Sequence, residues 1–170
     1  MSHDLMLRRK WTFRAHGKQV VFVKKSNERS AHVFMKAVLW ALYWPDYANL
    51  IVETRIGDRY KPDVVEVNAF NEPLFWGEAG QVGVAKIRSL AKRYPNTHFA
   101  IAKWKSNLTP YKATINKALK GIKRTAPFDL IGFESDSAER FIDERGHIQL
   151  TKEDVKWIRL TGGINYGATK

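Results

Sequence analysis

Two acidic residues on consecutive extended segments carry the most chemistry in this chain. They lie within residues 60–81, YKPDVVEVNAFNEPLFWGEAGQ. A hairpin centred between Phe70 and Asn71 sets Val67 opposite Leu74, Val65 opposite Trp76 and Asp63 opposite Glu78. Side chains alternate along a strand, so these three pairs share one face of the sheet. That face is apolar except where the two carboxylates meet. Opposed carboxylates repel and lose solvation, so either one of them is protonated or a cation lies between them. A hard divalent ion, Mg²⁺ or Mn²⁺, suits two carboxylates and leaves positions for water and a phosphate oxygen. Such an ion lowers the pKa of a bound water and stabilises charge developing on phosphorus. The same residues also admit a plain reading. Pro62-Asp63 can be a strand-start turn and Glu78 a strand-end residue paired with a lysine, and a one-residue slip of register would send the carboxylates to opposite faces.

The composition favours phosphodiester as the substrate. Lysine and arginine number 29 against 17 aspartates and glutamates, a formal net charge of +12 over 170 residues. Unpaired charges are costly to bury, so this excess belongs to the surface, where it attracts polyanions: nucleic acid first, anionic membrane second. A basic surface kept for solubility alone is the competing view. The absence of cysteine excludes disulfides, thiolate zinc sites and a cysteine nucleophile. The N-terminal MSHDLMLRRKW has no apolar core of signal-peptide length. The longest apolar stretch, residues 33–44, is interrupted by Lys36 and falls short of the roughly 20 residues that span a bilayer. The expectation is a cytoplasmic protein with no membrane partner, one domain over residues 1–170 and a loose tail at about 162–170.

The elements that must position the acids read as follows. Strands at 7–15 and 19–24 flank a turn at His16-Gly17-Lys18, and several N-cap oxygens at 26–30 precede a helix running to about Tyr43. Its Ala31, Phe34, Met35, Val38, Leu39 and Leu42 repeat at helical spacing, which predicts extensive burial. Three β runs follow at 49–56, 60–68 and 73–79, with turns at Gly57-Asp58 and at residues 69–72. A two-residue loop at 57–58 would pair Val52 with Asp63 and point Glu53 to the opposite face, whereas a shifted register would bring Glu53 into the site. A helix at about 82–93 leads to a buried strand at 97–103, laid parallel to its predecessor by a right-handed return. A further helix covers 110–119. The last third reads as a β meander, 128–133, 140–143, 147–150 and 155–160, with a short helix capped by Thr151 as a rival reading. The fold class is α/β: a central mixed sheet flanked by helices, with extra N- and C-terminal strands.

Pro62-Asp63, Glu78 at the end of the next strand, and the polar-to-basic helix after it resemble the PD-(D/E)XK nuclease superfamily. The order of elements is similar to its YaeQ-like branch, and residues 75–80, FWGEAG, resemble that branch's apolar–acidic–glycine turn into a basic helix. Ser30 and residues 146–151, GHIQLT, also fit its pattern. The resemblance implies a restriction-endonuclease-like core and a Mg²⁺-dependent nuclease in which Asp63 and Glu78 bind metal and the Ala79 carbonyl completes the shell. It also implies a lysine two positions after Glu78, where Gly80 stands instead. The positive group then comes from the following helix, with Lys86 the first choice and Gln81 or Arg88 the others. Glu28, just before the first helix, is either an additional acid or a residue serving the helix dipole. Glu66 alternates away from Asp63 and reads as structural.

Contacts to a nucleic-acid backbone are expected from Lys36, Arg88, Lys103 and Lys105, with Lys117, Lys120, Lys123 and Arg124 as further cations and Trp104 as either a stacking platform or core. His32 and Lys36 share a helical face that could front a groove or simply face solvent. The five histidines lack metal-ligand spacing, and no serine sits in a nucleophile elbow or phosphate loop. Because of Gly80, a catalytically inactive nucleic-acid-binding or interaction protein on the same fold is the alternative. A basic module that binds only proteins is a third.

Overall fold

The computed structural model describes residues 9–160, and the expected tail at 162–170 lies outside them. The chain opens with an antiparallel hairpin of β1 (Lys10–Ala15) and β2 (Lys18–Val23). His16 and Gly17 make its turn at positive φ, 53° and 72°. Alternation puts Trp11, Phe13 and Phe22 inside, while Val21 and Val23 face out.

Helix α1 (Ser30–Tyr43) follows and is buried throughout residues 33–43, Lys36 included. The expected apolar stripe therefore understates its burial. The reason is its place: it lies between the hairpin and the main sheet, and its residues join Trp11, Phe13 and Phe22 on one side and Val64, Phe75 and Ala100 on the other in one core.

The main sheet has six strands in chain order: β3 (Ile51–Val52), β4 (Val64–Val67), β5 (Pro73–Ala79), β6 (His98–Lys103), β7 (Phe128–Gly132) and β8 (Lys156–Arg159). The first three form an antiparallel meander, β5, β6 and β7 run parallel, and β8 returns antiparallel. Parallel neighbours need crossovers, which α2 (Val84–Arg93) and α3 (Thr109–Leu119) provide. Right-handed connections place both on one face. There Ile87, Leu90, Ile115 and Leu119 form a second core with Val65, Trp76, Phe99 and Leu130. Helices thus cover both faces of a mixed sheet, as the sequence predicts. Among the described residues, no helix is long and apolar enough to cross a membrane.

Several boundaries differ from expectation. The runs at 49–56 and 60–68 shrink to two and four residues, because Glu53 takes φ 51° and leaves the ladder. The intervening loop is pinned to the end of α2 by Asp58, which accepts from Arg93 and, at 2.5 Å, from the Tyr94 hydroxyl. Val52 pairs with Val64 rather than Asp63, a register one residue from the two-residue-loop reading. Residues 140–143 are not a strand: α4 (Ser137–Phe141) takes the first two of them. Ala138 and Phe141, three apart, both turn inward there. The 147–150 stretch contributes only isolated bridges, Arg14 with His147 and Ile142 with Ile148. The short-helix reading near Thr151 holds as a 3₁₀ turn over Lys152–Asp154, with the Asp154 carboxylate accepting from the Thr151 N–H at 2.7 Å.

The N-terminal hairpin is tied down by the turn at Gly146. Its carbonyl accepts from Arg14 N–H at 2.8 Å, and Ile148 N–H donates back to Arg14 at 2.8 Å. Gly146 has φ 80°, and a Cβ there would lie 2.2 Å from the Thr12 carbonyl oxygen. Gly146→Ala combines left-handed strain with a backbone clash, and the expected loss is about 2 kcal/mol in a urea unfolding series. An unchanged midpoint would show that this turn does not hold the hairpin.

Candidate active site

The β4–β5 ladder fixes the acidic pair. Val65 pairs with Trp76 and Val64 with Gly77, so the expected register holds where it matters. It fails only near the turn, where a bulge between Glu66 and Val67 puts Val67 opposite Pro73 instead of Leu74. One step beyond Val64, Asp63 N–H donates to the Gly77 carbonyl at 3.1 Å, and the Asp63 Oδ2 accepts from Ala79 N–H at 2.8 Å. Asp63 therefore stands at the end of β5 beside Glu78.

Glu78 is buried, 7% exposed. Its Oε1 accepts from Trp76 Nε1 at 2.9 Å and is ion-paired to Lys86 Nζ at 3.0 Å. Burial first, and then the charge of Asp63, push its pKa above the ordinary carboxylate value, and Lys86 and Trp76 only partly offset them. Among the described residues, Asp63 Oδ1 and Glu78 Oε2 accept no hydrogen bond.

A row of alternating charges reaches the pair from α1. Glu28, His32 and Lys36 are spaced four apart, on one stripe of the helix and its approach. His32 Nδ1 meets Glu28 Oε2 at 2.6 Å, while its Nε2 meets the Ala79 carbonyl at 3.0 Å and Asp63 Oδ2 at 3.8 Å. Acceptors on both nitrogens suit a doubly protonated ring. Asp63 first, with Glu28, raises its pKa against the opposing effects of burial and Lys36. Lys36 Nζ pairs with Glu28 Oε2 at 2.6 Å and with Glu53. Burial pushes Lys36 down, but these two carboxylates outweigh it and hold its pKa above the usual lysine value. The one-residue shift of register is what delivers Glu53 to this row. The expectation that Lys36 faces solvent or a phosphate chain is corrected: it is 2% exposed and saturated by carboxylates. Glu28 serves this row, its pKa lowered by Lys36 and the Lys25 N–H in spite of burial. Glu66 accepts from Asn49 N–H at 2.6 Å, the structural part expected of it.

The remaining cations divide. Arg88 donates to the carbonyls of Ala118 at 3.2 Å and Lys120 at 2.9 Å, so it fastens α3 to α2 and does not reach Glu78. Arg124, expected on the surface, is buried and donates to the carbonyls of Ala91, Tyr94 and Thr97. Burial depresses its pKa to about 10. Lys117, Lys120 and Lys123 are exposed. Lys103 is buried, and its ammonium donates to the Gly80 carbonyl and lies 4.6 Å from the Tyr111 ring centre. Burial lowers its pKa. Trp104 is half-buried, packed on Phe34 and Phe133.

A cavity of about 1010 Å³, formed by the start of α1, the β5–α2 turn, the end of β6 and α3, adjoins the acidic pair through Ala79 and His32, while Asp63 and Glu78 themselves do not line it. His32, Ala79, Gly80, Gln81, Lys103 and Lys105 are among its walls. Sequence reasoning missed His32 as a neighbour of Asp63, although the four-residue spacing of Glu28, His32 and Lys36 was a readable signal.

A mixed six-stranded sheet with helices on both faces, an added N-terminal hairpin and a carboxylate pair at the end of its central strands defines the class of fold. It is the YaeQ fold. The YaeQ protein from Pseudomonas syringae superposes with a TM-score of 0.59 at 16% identity, covering 85% of this chain and 86% of that one. The YaeQ protein from Xanthomonas axonopodis pv. citri gives 0.55 at 14% identity, covering 90% and 94%. No protein-family model and no curated protein sequence matches the chain.

Proposed function

We propose that the chain is a metal-dependent nuclease of the PD-(D/E)XK type that hydrolyses phosphodiester bonds in DNA or RNA. The observation that carries this reading is the buried Glu78 facing Asp63, its pKa raised by burial and by that second carboxylate although Lys86 sits on it. Stability alone gives no reason for two such acids at one strand end.

The donor set fits Mg²⁺ or Mn²⁺. Each carboxylate has one oxygen without a hydrogen bond among the described residues, and hard oxygen ligands are what these ions take. Among the described residues no three His, Cys, Asp or Glu side chains gather as a metal site, so an ion here would rest on two carboxylates and otherwise on water. Asp63 and Glu78 would hold it. The Ala79 carbonyl joins them only if His32 releases it. The ion supplies an activated water and stabilises charge on phosphorus. The protein's own groups do the rest: Lys86 and Trp76 orient Glu78, the Ala79 N–H and His32 orient Asp63, and Gln81, exposed on the β5–α2 turn, faces whatever enters the cavity.

A non-catalytic nucleic-acid-binding protein is the second reading, favoured by the Lys86–Glu78 ion pair, which partly neutralises the site without any metal. Two measurements decide. Calorimetric titration with Mn²⁺ is expected to show binding that is lost in Glu78→Ala and Asp63→Ala. Incubation of single- and double-stranded DNA and RNA with Mg²⁺ or Mn²⁺ is expected to give cleavage lost in the same variants. Salt-sensitive binding of nucleic acid with no metal uptake, unaffected by Asp63→Ala, would replace this proposal with the second reading.

A further inference from the structure

We infer that Lys103 anchors a phosphate subsite in the cavity beside the acidic pair, its ammonium binding a non-bridging oxygen of a phosphate group lodged between the starts of α1 and α2. The anion chemistry stands by itself, and its assignment to a phosphodiester substrate rests on the nuclease reading.

Register brings Lys103 there. In the parallel β5–β6 ladder Glu78 lies beside Ile101 and Ala79 beside Ala102. Neighbours in a ladder share a face and side chains alternate, so Lys103 rises from the face that carries Glu78. The next step along β5 is Gly80, with φ 93° and no side chain to compete for the space, and the Lys103 ammonium donates to its carbonyl. A buried charge is normally balanced by an opposite one. Lys36 has Glu28 and Glu53, and Lys86 has Glu78. Lys103 is 8% exposed and, among the described residues, has no carboxylate within ion-pair distance. The Tyr111 ring and one carbonyl are its partners, so donor capacity remains.

The surroundings select an anion. Arg29 and Lys105 are exposed cations on the same cavity wall, and the charge of Glu28, also on that wall, is taken up by His32 and Lys36. Both α1 and α2 begin on this cavity with no side-chain cap and no acid in the first turn, which leaves N–H groups at their positive ends free for an anion. Lys86, committed to Glu78, positions the acid; Lys103 is left for the substrate.

The probe is inorganic phosphate, titrated into the full chain by calorimetry with sulfate as a competitor. Wild type is expected to bind phosphate, and Lys103→Met to weaken it at least about tenfold, the scale of a charge-assisted hydrogen bond. Lys103→Arg should keep most of the affinity, and Asp63→Ala should keep or improve it. Met nearly matches Lys in volume and removes an uncompensated buried charge, so Lys103→Met should melt no lower than wild type. Phosphate binding that is absent in wild type, or identical in Lys103→Met, would overturn the subsite. Cleavage assays separate the two claims. Metal-dependent cleavage with phosphate indifferent to Lys103 removes the subsite and leaves the nuclease. Phosphate binding that follows Lys103 without any cleavage keeps the subsite and removes the nuclease.

Discussion

On the proposed nuclease reading, Glu78→Gln is expected to cost metal-dependent cleavage at least about 100-fold, the upper scale of disturbed metal sites, while making the fold more stable. The amide keeps an oxygen for Trp76 Nε1–H and nearly the same volume, but it removes a charge that burial and Asp63 both disfavour. Lys86, about a quarter exposed, can return to water when its partner is lost. A gain of about 1 kcal/mol in urea unfolding at neutral pH is expected, as for other relieved functional strains. The pH dependence follows from linkage. The folded pKa of Glu78 lies above 4.5, so between these values the folded state holds more protons than the unfolded one. Wild-type stability therefore falls as pH rises through that window, and this part of the slope should vanish in Glu78→Gln. A variant that unfolds at lower urea than wild type would mean that Glu78 and Lys86 form an ordinary structural ion pair.

The acidic pair was legible because its strands obey a simple rule. Alternating Val65, Val67 and Trp76 and a turn at residues 69–72 suffice to pair Asp63 with Glu78, and the bulge between Glu66 and Val67 lies on the turn side of the Val65–Trp76 pair, so it leaves the register at the acids untouched. The rest of the site depended on tertiary choices that no local pattern announces. Glu53 reaches Lys36 only because its own backbone turns to positive φ and the β3–β4 register moves by one. Lys36 looked like a solvent-facing break in an apolar helix. It is instead the centre of a buried charge row, which exists because α1 is covered on both sides. Arg124 in a run of exposed lysines is likewise indistinguishable by composition from its neighbours, yet three carbonyls draw it inside. The α4 segment was misread because five residues hold a single turn, too few for helical and strand periods to separate.

Asp129→Ala is expected to destabilise the fold by about 3–5 kcal/mol, the cost of removing one partner from a buried charged network. Asp129 is fully buried in β7. It accepts from the Tyr43 hydroxyl at 2.6 Å, from His98 Nε2 at 2.6 Å and from Arg159 Nε at 2.9 Å, and the Tyr47 hydroxyl meets His98 Nδ1 at 2.8 Å. One carboxylate thus joins α1, β6, β7 and β8, and its loss strands a buried histidine and a buried tyrosine hydroxyl. In a chain of this length such a loss lowers the melting temperature by roughly 10 °C. Burial alone would push the Asp129 pKa up, but the bonds from His98, Arg159 and Tyr43 outweigh it and hold the carboxyl at about 2. Because the folded pKa is depressed below the ordinary 3.8, its stabilisation is present above that value and is lost as pH falls through about 2. Urea midpoints measured from pH 5 downward should therefore fall more steeply for wild type than for Asp129→Ala, so that the two curves converge in acid. Parallel curves would show that the network contributes through packing and not through the charge of Asp129.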